Sequence, residues 1–358
     1  MKVHGKHYRS LWRDGEAKRV HCVDQTQLPE VFEVHTIVSL EQAVEAIRSM
    51  RVRGAPLIGV TAAYGVALAM TEDGSDHALD MACRRLQATR PTAVNLAWAL
   101  RHMRQQVAPA DPLDREAIAW READAMAEDD ATTNAAIGRH GAVLLKNLHQ
   151  QLQRPVNVLT HCNAGWIACI DWGTALSAIY QAHDSGIPVH VWVEETRPRN
   201  QGRLTAWELR GHGVPHTYIV DNAGGHLMQH GKVDLVLVGA DRVSRAGDVA
   251  NKIGTYQKAL AARDNDIPFY AALPSSTIDW QIGDALAEID IEERSADEVR
   301  FVRGRSHDGL TREVQILEAD SAVANPGFDI TPARLVTGIV TERGTVMPDR
   351  LAQLFHRR

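Results

Sequence analysis

The chain has 358 residues, 44% of them hydrophobic, so it can bury a large core, and its length points to two domains sharing a cleft. A formal charge of −6 with both signs interspersed excludes the clustered basic face of a nucleic-acid binder, and a 5% aromatic content supplies no base-stacking platform. The amino terminus lacks the apolar run of a signal peptide, which points to the cytoplasm; there Cys22, Cys83, Cys162 and Cys169, which form no CxxC, are expected to stay reduced.

In chain order, residues 31–38 read as a short strand. Ser39 then opens a helix, forming a capping box with Gln42, while Leu40, Ala43, Val44 and Ile47 fall on one face. That helix ends near Met50. The following Arg51-Val52-Arg53-Gly54-Ala55-Pro56 leads into a second helix, since proline suits a first turn. Arg53 therefore lies beside a helix amino terminus, where backbone donors and the dipole already favour an anion. The weakly polar run at 55–70 is shorter than the roughly 20 residues of a membrane span and reads as a buried helix. Thr89-Arg90-Pro91-Thr92 repeats the arginine arrangement ahead of an amphipathic run at 93–103. One such arginine is usually a solvated charge; two suggest a phosphate cradle. Residues 115–153 read as one or two helices bridging from a helical first domain, 1–130, to a second, 131–358.

From residue 156 short apolar strands alternate with helical stretches, at 156–160, 189–193, 217–220, 233–238, 269–272 and 335–340. This alternation implies an α/β fold, a parallel sheet covered on both faces. Five strand ends carry polar turns, among them His161-Cys162-Asn163-Ala164-Gly165 and Gly239-Ala240-Asp241-Arg242, at the edge where open α/β sheets bind ligands.

Asp241 can act as a general acid or base if apolar surroundings raise its pKa; the alternative is a structural carboxylate paired with Arg242. Ten residues on, Asn251 and Lys252 offer an amide and an ammonium to an anion. Cys162 is expected at a strand-to-helix turn that favours a thiolate, the alternative being an inert thiol, while Cys169 reads as core. Asp221 has a similar position to Asp241 but a weaker context. In the loop that holds Arg197, Arg199 and Gln201, the first arginine reads as structural. His226 and His230 are spaced i, i+4 without a recognisable third ligand, so no metal site is expected. No G-x-G-x-x-G follows a strand and no Walker A sequence occurs, which disfavours dinucleotides and nucleoside triphosphates.

The motifs RGAPLIGVTAAYG, TRPTAVNLAWAL, THCNAG, EETRPRNQG, DNAGGHLM, VGADRV, GDVANKIGTY, PFYAALPSSTID and IEERSADEV, in fixed order from about residue 30 to the last strand, closely resemble the methylthioribose-1-phosphate isomerase family of methionine salvage. The resemblance implies a small, mainly helical N-terminal domain, a Rossmann-like catalytic domain, a homodimer, a phosphosugar substrate, and no cofactor or metal. It implies substrate binding by Arg53, Gly54, Ala55, Arg90, Gln201, Asn251 and Lys252. Asp241 would be the proton donor and Cys162 would stabilise the reacting centre of an aldose–ketose conversion, by hydride or enediol transfer. Two features depart from the family pattern. The chain is one residue shorter after Gln201-Gly202, and Trp166 and Trp172 stand where small residues are commoner, so the indoles are expected to reshape the pocket for the 5-substituent. Isomerases of 5-deoxyribose 1-phosphate or ribose 1,5-bisphosphate, and a non-catalytic regulatory subunit, are the alternatives.

Overall fold

The structure is a computed structural model that describes residues 2–3, 5–91 and 93–355; Thr92 of the second arginine motif lies outside them. Strands β1 (Lys2–Val3) and β2 (Lys6–His7) form a small hairpin, and β3 (Leu11–Arg13), β4 (Val20–Val23) and β5 (Val34–Ile37) an antiparallel sheet. Of these, sequence periodicity reaches only β5. β5 lies within the longer stretch read at 31–38, whereas the others span two to four residues in polar surroundings, and β3 and β4 are held by burial of Leu11, Val20 and Cys22.

Helix α1 (Leu40–Arg48) starts at Ser39, whose Oγ accepts from the Gln42 backbone at 3.3 Å. The return arm of the capping box reaches one residue further out, where the Gln42 carbonyl accepts from Val38 N at 2.7 Å. Helix α2 (Ala55–Glu72) is long and apolar enough to cross a membrane, yet residues 57–70 are all buried, and it packs against α1, α3 (Asp76–Gln87), α4 (Val94–Val107) and α5 (Arg115–Leu152). Its uniform hydrophobicity is that of a core helix.

The stretch expected to give one or two helices is one helix, α5, of 38 residues. Its first half, Ala119 to Ala131, belongs to the core formed with α1–α4; Ile137 and Leu145 belong to the core beneath the large sheet.

The α/β part follows as β6 (Val156–Thr160), α6 (Ala175–Asp184), β7 (Val189–Glu194), α7 (Gly202–His212), β8 (His216–Ile219), α8 (Ala223–Gln229), β9 (Leu235–Val238), a hairpin of β10 (Arg242–Ser244) and β11 (Val249–Lys252), α9 (Thr255–Asp264), β12 (Phe269–Ala272) and β13 (Ile278–Asp279). Short helices α10 (Ala285–Glu288) and α11 (Asp297–Arg300), the hairpin β14 (Phe301–Arg305) and β15 (Thr311–Gln315), then β16 (Phe328–Thr331), β17 (Gly338–Thr341) and β18 (Gly344–Val346) complete it. The large sheet has the order β18-β17-β12-β9-β6-β7-β8, parallel throughout except for β18. From β6 the chain winds outward through β7 and β8, then returns to β9 on the other flank and continues through β12 and β17. The winding therefore reverses between β6 and β9, where a doubly wound sheet opens its binding crevice.

A second sheet, β13-β10-β11-β16, stands over that edge. Its strands have two to four residues and polar ends, so the sequence carries no strand signal for them.

Candidate active site

Cys162 and Asp241 leave the carboxyl ends of the neighbouring strands β6 and β9, on either side of the reversal. With Arg53, Gly54, Ala55, Arg90, Gln201, Asn251 and Lys252 they line one cleft of about 150 Å³. Residues expected from six separate segments are thus brought together. The lining is contributed by the start of α2, the Arg90 turn, the loops after β6 and β9, the turn before α7 and the end of β11.

Gly54 explains how the helical part can close on the loop after β6. Its φ is +107°, and a Cβ there would lie 2.2 Å from the carbonyl oxygen of Ala168, in the short turn after the Cys162 loop. No side chain fits that approach. Beside it Arg53 Nη2 donates to Asn163 Oδ1 at 2.9 Å, and Asn163 Nδ2 donates to Glu208 at 2.8 Å. Glu208 is fully buried and also accepts from Trp166 N at 2.7 Å, Ile167 N at 3.2 Å and the Tyr180 hydroxyl at 2.8 Å, so one carboxyl group shapes the loop that carries Cys162.

Arg53 and Lys252 have no carboxylate partner among the described residues. Lys252 Nζ donates to the Gly327 carbonyl at 3.1 Å and lies 4.6 Å from the Phe328 ring centre. These two unneutralised cations face the cleft, the condition for binding a phosphate. Arg90 is 3.3 Å from Glu292, and among the described residues neither its buried Nε nor the Oε1 of buried Gln201 has a hydrogen-bond partner. Orphaned polar atoms in a cleft wall are the groups a ligand would satisfy. Asn251 donates to Thr255 at 3.0 Å, which fixes the chain just before α9.

Among the described residues no ion pair or side-chain hydrogen bond takes up the Asp241 carboxyl, and Arg242 lies 3.9 Å from Asp279 instead. Burial pushes the Asp241 pKa up against the opposing pull of Lys252, Arg90 and Arg53, with the Glu292 charge adding to the rise. The direction of the shift is the one a general acid needs, and burial rather than an apolar lining supplies it. Cys162 departs from the expected thiolate: burial raises its pKa and outweighs Lys252 and Arg53, so the sulfur is held as a thiol. The expected turn is real, with Cys162 at φ +66°, but it leads into loop and a short 3-10 turn (Trp166–Ala168).

Other expectations are corrected by packing. Neither indole lines the cleft: Trp166 is fully buried with its ring centre 6.0 Å from that of Trp207, and Trp172 packs against the core below the sheet. Both therefore support the loop from behind. Cys169 is buried, as a core residue should be, but it follows the 3-10 turn and its position also borders the cleft. Asp221 accepts from the Thr196 and Arg197 backbones, each at 2.8 Å, and Arg197 bonds the carbonyls of Pro198 and Val299, so both are structural.

Sequence reasoning missed a further wall. Glu292 is 2.8 Å from Arg294, which is 2.6 Å from Glu298, which accepts from Arg199 at 2.9 Å. Burial works against the charge on Glu298, but Arg294 and Arg199 outweigh it and hold its pKa at about 2. Glu292, Arg294, Met50 and Phe328 all line the cleft. The closely spaced acids and bases of Glu292-Glu293-Arg294 were the available signal, in a segment without periodicity. Among the described residues the one group of three potential metal ligands is His161, Glu194 and Asp221, and all three are already engaged with protein partners.

Comparison with known proteins is consistent across sequence and structure. The Initiation factor 2 subunit family matches residues 51–348. The methylthioribose-1-phosphate isomerase of Acidiphilium cryptum is 60% identical over 96% of this chain and 94% of its own. The crystal structure of 5-methylthioribose 1-phosphate isomerase from Pyrococcus horikoshii is 39% identical, with a TM-score of 0.84 over 98% of this chain and 96% of that one. A structure described as translation initiation factor eIF-2B, subunit delta, from A. fulgidus is 38% identical, with a TM-score of 0.79 over 97% and 98% of the two chains.

Proposed function

This chain belongs to the initiation factor 2 subunit family, among its methylthioribose-1-phosphate isomerases, and from that premise we propose how its cleft converts 5-methylthioribose 1-phosphate into 5-methylthioribulose 1-phosphate. The observation that carries the reading is the pair Cys162 and Asp241 on adjacent strand ends, facing a cleft with two unneutralised cations.

Phosphate on the anomeric oxygen prevents the ring from opening by loss of a proton there, so the ring oxygen must be protonated. Asp241, whose protonated form burial favours, delivers the proton, and the bond from C1 to the ring oxygen breaks. The positive charge left at C1 draws a hydride from C2. The hydroxyl on C2 then becomes the ketone and returns its proton to Asp241. Burial keeps Cys162 a neutral thiol, which suits stabilising a developing cation and does not suit abstracting a proton, so we favour hydride over enediol transfer.

Arg53, Arg90 and Lys252 hold the phosphate, and Gln201, Asn251 and the Gly54–Ala55 backbone complete the grip. Met50, Ile58, Ile291 and Phe328 offer an apolar lining suited to a methylthio group. On this reading residues 1–130 are a mainly helical domain supplying Arg53 and Arg90, and 131–358 a Rossmann-like catalytic domain. The family resemblance also supports a cytoplasmic homodimer; a monomeric mass by sedimentation would overturn the dimer. Mixing the purified protein with methylthioribose 1-phosphate should yield the ketose, and no turnover at micromolar enzyme would refute the activity.

A further inference from the structure

His161 directly precedes Cys162 and is 1% exposed. Both of its ring nitrogens are occupied: Nε2 donates to the carbonyl of Ile253 at 2.8 Å, and Nδ1 lies 2.7 Å from Oε2 of Glu194. Glu194 is fully buried, with Lys258 Nζ 3.4 Å from its other oxygen. Ile253 directly follows Lys252, so one imidazole spans the thiol loop and the ammonium loop. Gly254 makes room for it: its φ is +103°, and a Cβ there would lie 3.1 Å from the ring. On its other side the Cys162 loop is pinned by hydroxyls. Cys162 N donates to Thr196 Oγ1 at 2.8 Å, and Thr205 Oγ1 donates to the Cys162 carbonyl at 2.8 Å. The left-handed Cys162 backbone, at φ +66°, is unfavourable for a residue with a side chain and persists only where its surroundings over-determine it.

We infer that His161 is a positioning residue that holds the Cys162 loop and the Lys252 loop in register, fixing the thiol relative to the phosphate-binding ammonium. The inference rests on the roles given above to Cys162 and Lys252. With no free nitrogen, the imidazole exchanges no proton with substrate. A buried ring with a carboxylate and an ammonium behind it costs desolvation that an apolar residue would avoid, so its gain lies in fixed geometry.

The test compares two variants that each keep one of the ring's contacts. In His161→Asn the amide can replace Nδ1 and still reach Glu194, whereas in His161→Gln it can replace Nε2 and still reach Ile253. The dissociation constant of inorganic phosphate, by isothermal titration calorimetry, reports the Lys252 side, and the rate of Cys162 alkylation by iodoacetamide, followed by peptide mapping, reports the thiol side. His161→Asn should weaken phosphate binding by about 10- to 100-fold, and His161→Gln should recover most of that loss; both should change Cys162 alkylation. Folded variants with wild-type phosphate affinity and alkylation overturn the inference, as does equal loss in both. If neither variant folds, Glu194→Gln, which keeps its partner's shape, should shift the same two readouts, and unchanged values there would overturn it. Neither readout needs turnover, so an inactive wild-type protein would count against the proposed reaction, and unchanged variants against His161.

Discussion

Arg53 reaches from the start of α2 to Asn163, three residues after β6 of the large sheet ends, and this 2.9 Å hydrogen bond joins the helical layer to the loop of Cys162. The guanidinium is paired with a neutral amide rather than a carboxylate, which leaves its charge for substrate. Arg53→Met should raise KM by about 10- to 100-fold, the value of a charge-assisted hydrogen bond, as measured by initial rates. An unchanged KM would remove Arg53 from the phosphate grip.

Asp241→Asn keeps the size of the side chain and removes the transferable proton. Its rate should fall by at least about 100-fold while phosphate still inhibits. Because burial raises the Asp241 pKa, activity should be retained toward acid and lost as pH rises through that value, a limb that the variant should lack. Near-normal turnover would assign the acid role elsewhere.

Hydride transfer keeps the migrating hydrogen out of contact with solvent. Ketose formed in deuterated water should therefore carry no deuterium at C1, read by proton NMR or mass spectrometry. Incorporation at C1 would establish the enediol route and require a base at C2.

Asp130 lies on α5, 9% exposed, accepting from Ile170 N at 2.7 Å, and burial pushes its pKa up to about 7. A carboxyl whose pKa is higher folded than unfolded stabilises fully below its unfolded value near 4 and loses that contribution as pH rises toward about 7. Asp130→Asn keeps the acceptor and cannot ionise. Thermal melts should show it more stable than wild type at about pH 8, by up to about 4 kcal/mol, with the advantage gone near pH 4. Parallel melting curves across that window would contradict the burial argument.

Gly54→Ala meets the Ala168 carbonyl from a backbone that L residues rarely adopt. It should cost about 1–3 kcal/mol of stability in denaturant titrations and lower kcat/KM, because the clash pushes α2 off the loop after β6. Wild-type stability and rate would mean that the close approach is not needed.

The alternation of apolar strands with helices gave the large sheet, since parallel strands buried on both faces have continuous apolar runs such as Leu235–Val238. Cys162 and Asp241 were legible because polar residues directly after such runs fall on the binding edge. The β10–β11 hairpin was not legible, for its strands hold three and four residues and are fixed by pairing with β13 and β16. Glu292 and Arg294 were missed for a related reason. Their place in the cleft wall depends on partners distant in sequence, Arg90 and Arg199 through Glu298, which no local pattern announces. Trp166 and Trp172 mislead when read by proximity in sequence, because the turn after Gly165 directs both indoles away from the thiol.

Helix α5 runs for 38 residues without a proline, one half anchored in each core. A continuous i to i−4 ladder resists bending at its centre, so α5 is a rigid spar and not a hinge. The two cores it joins should denature in a single cooperative transition, with the amides between Ala131 and Ile137 among the slowest to exchange. The breathing that admits a ligand then belongs to the loops around Arg199 and Glu292, whose ion pairs can part without breaking the spar.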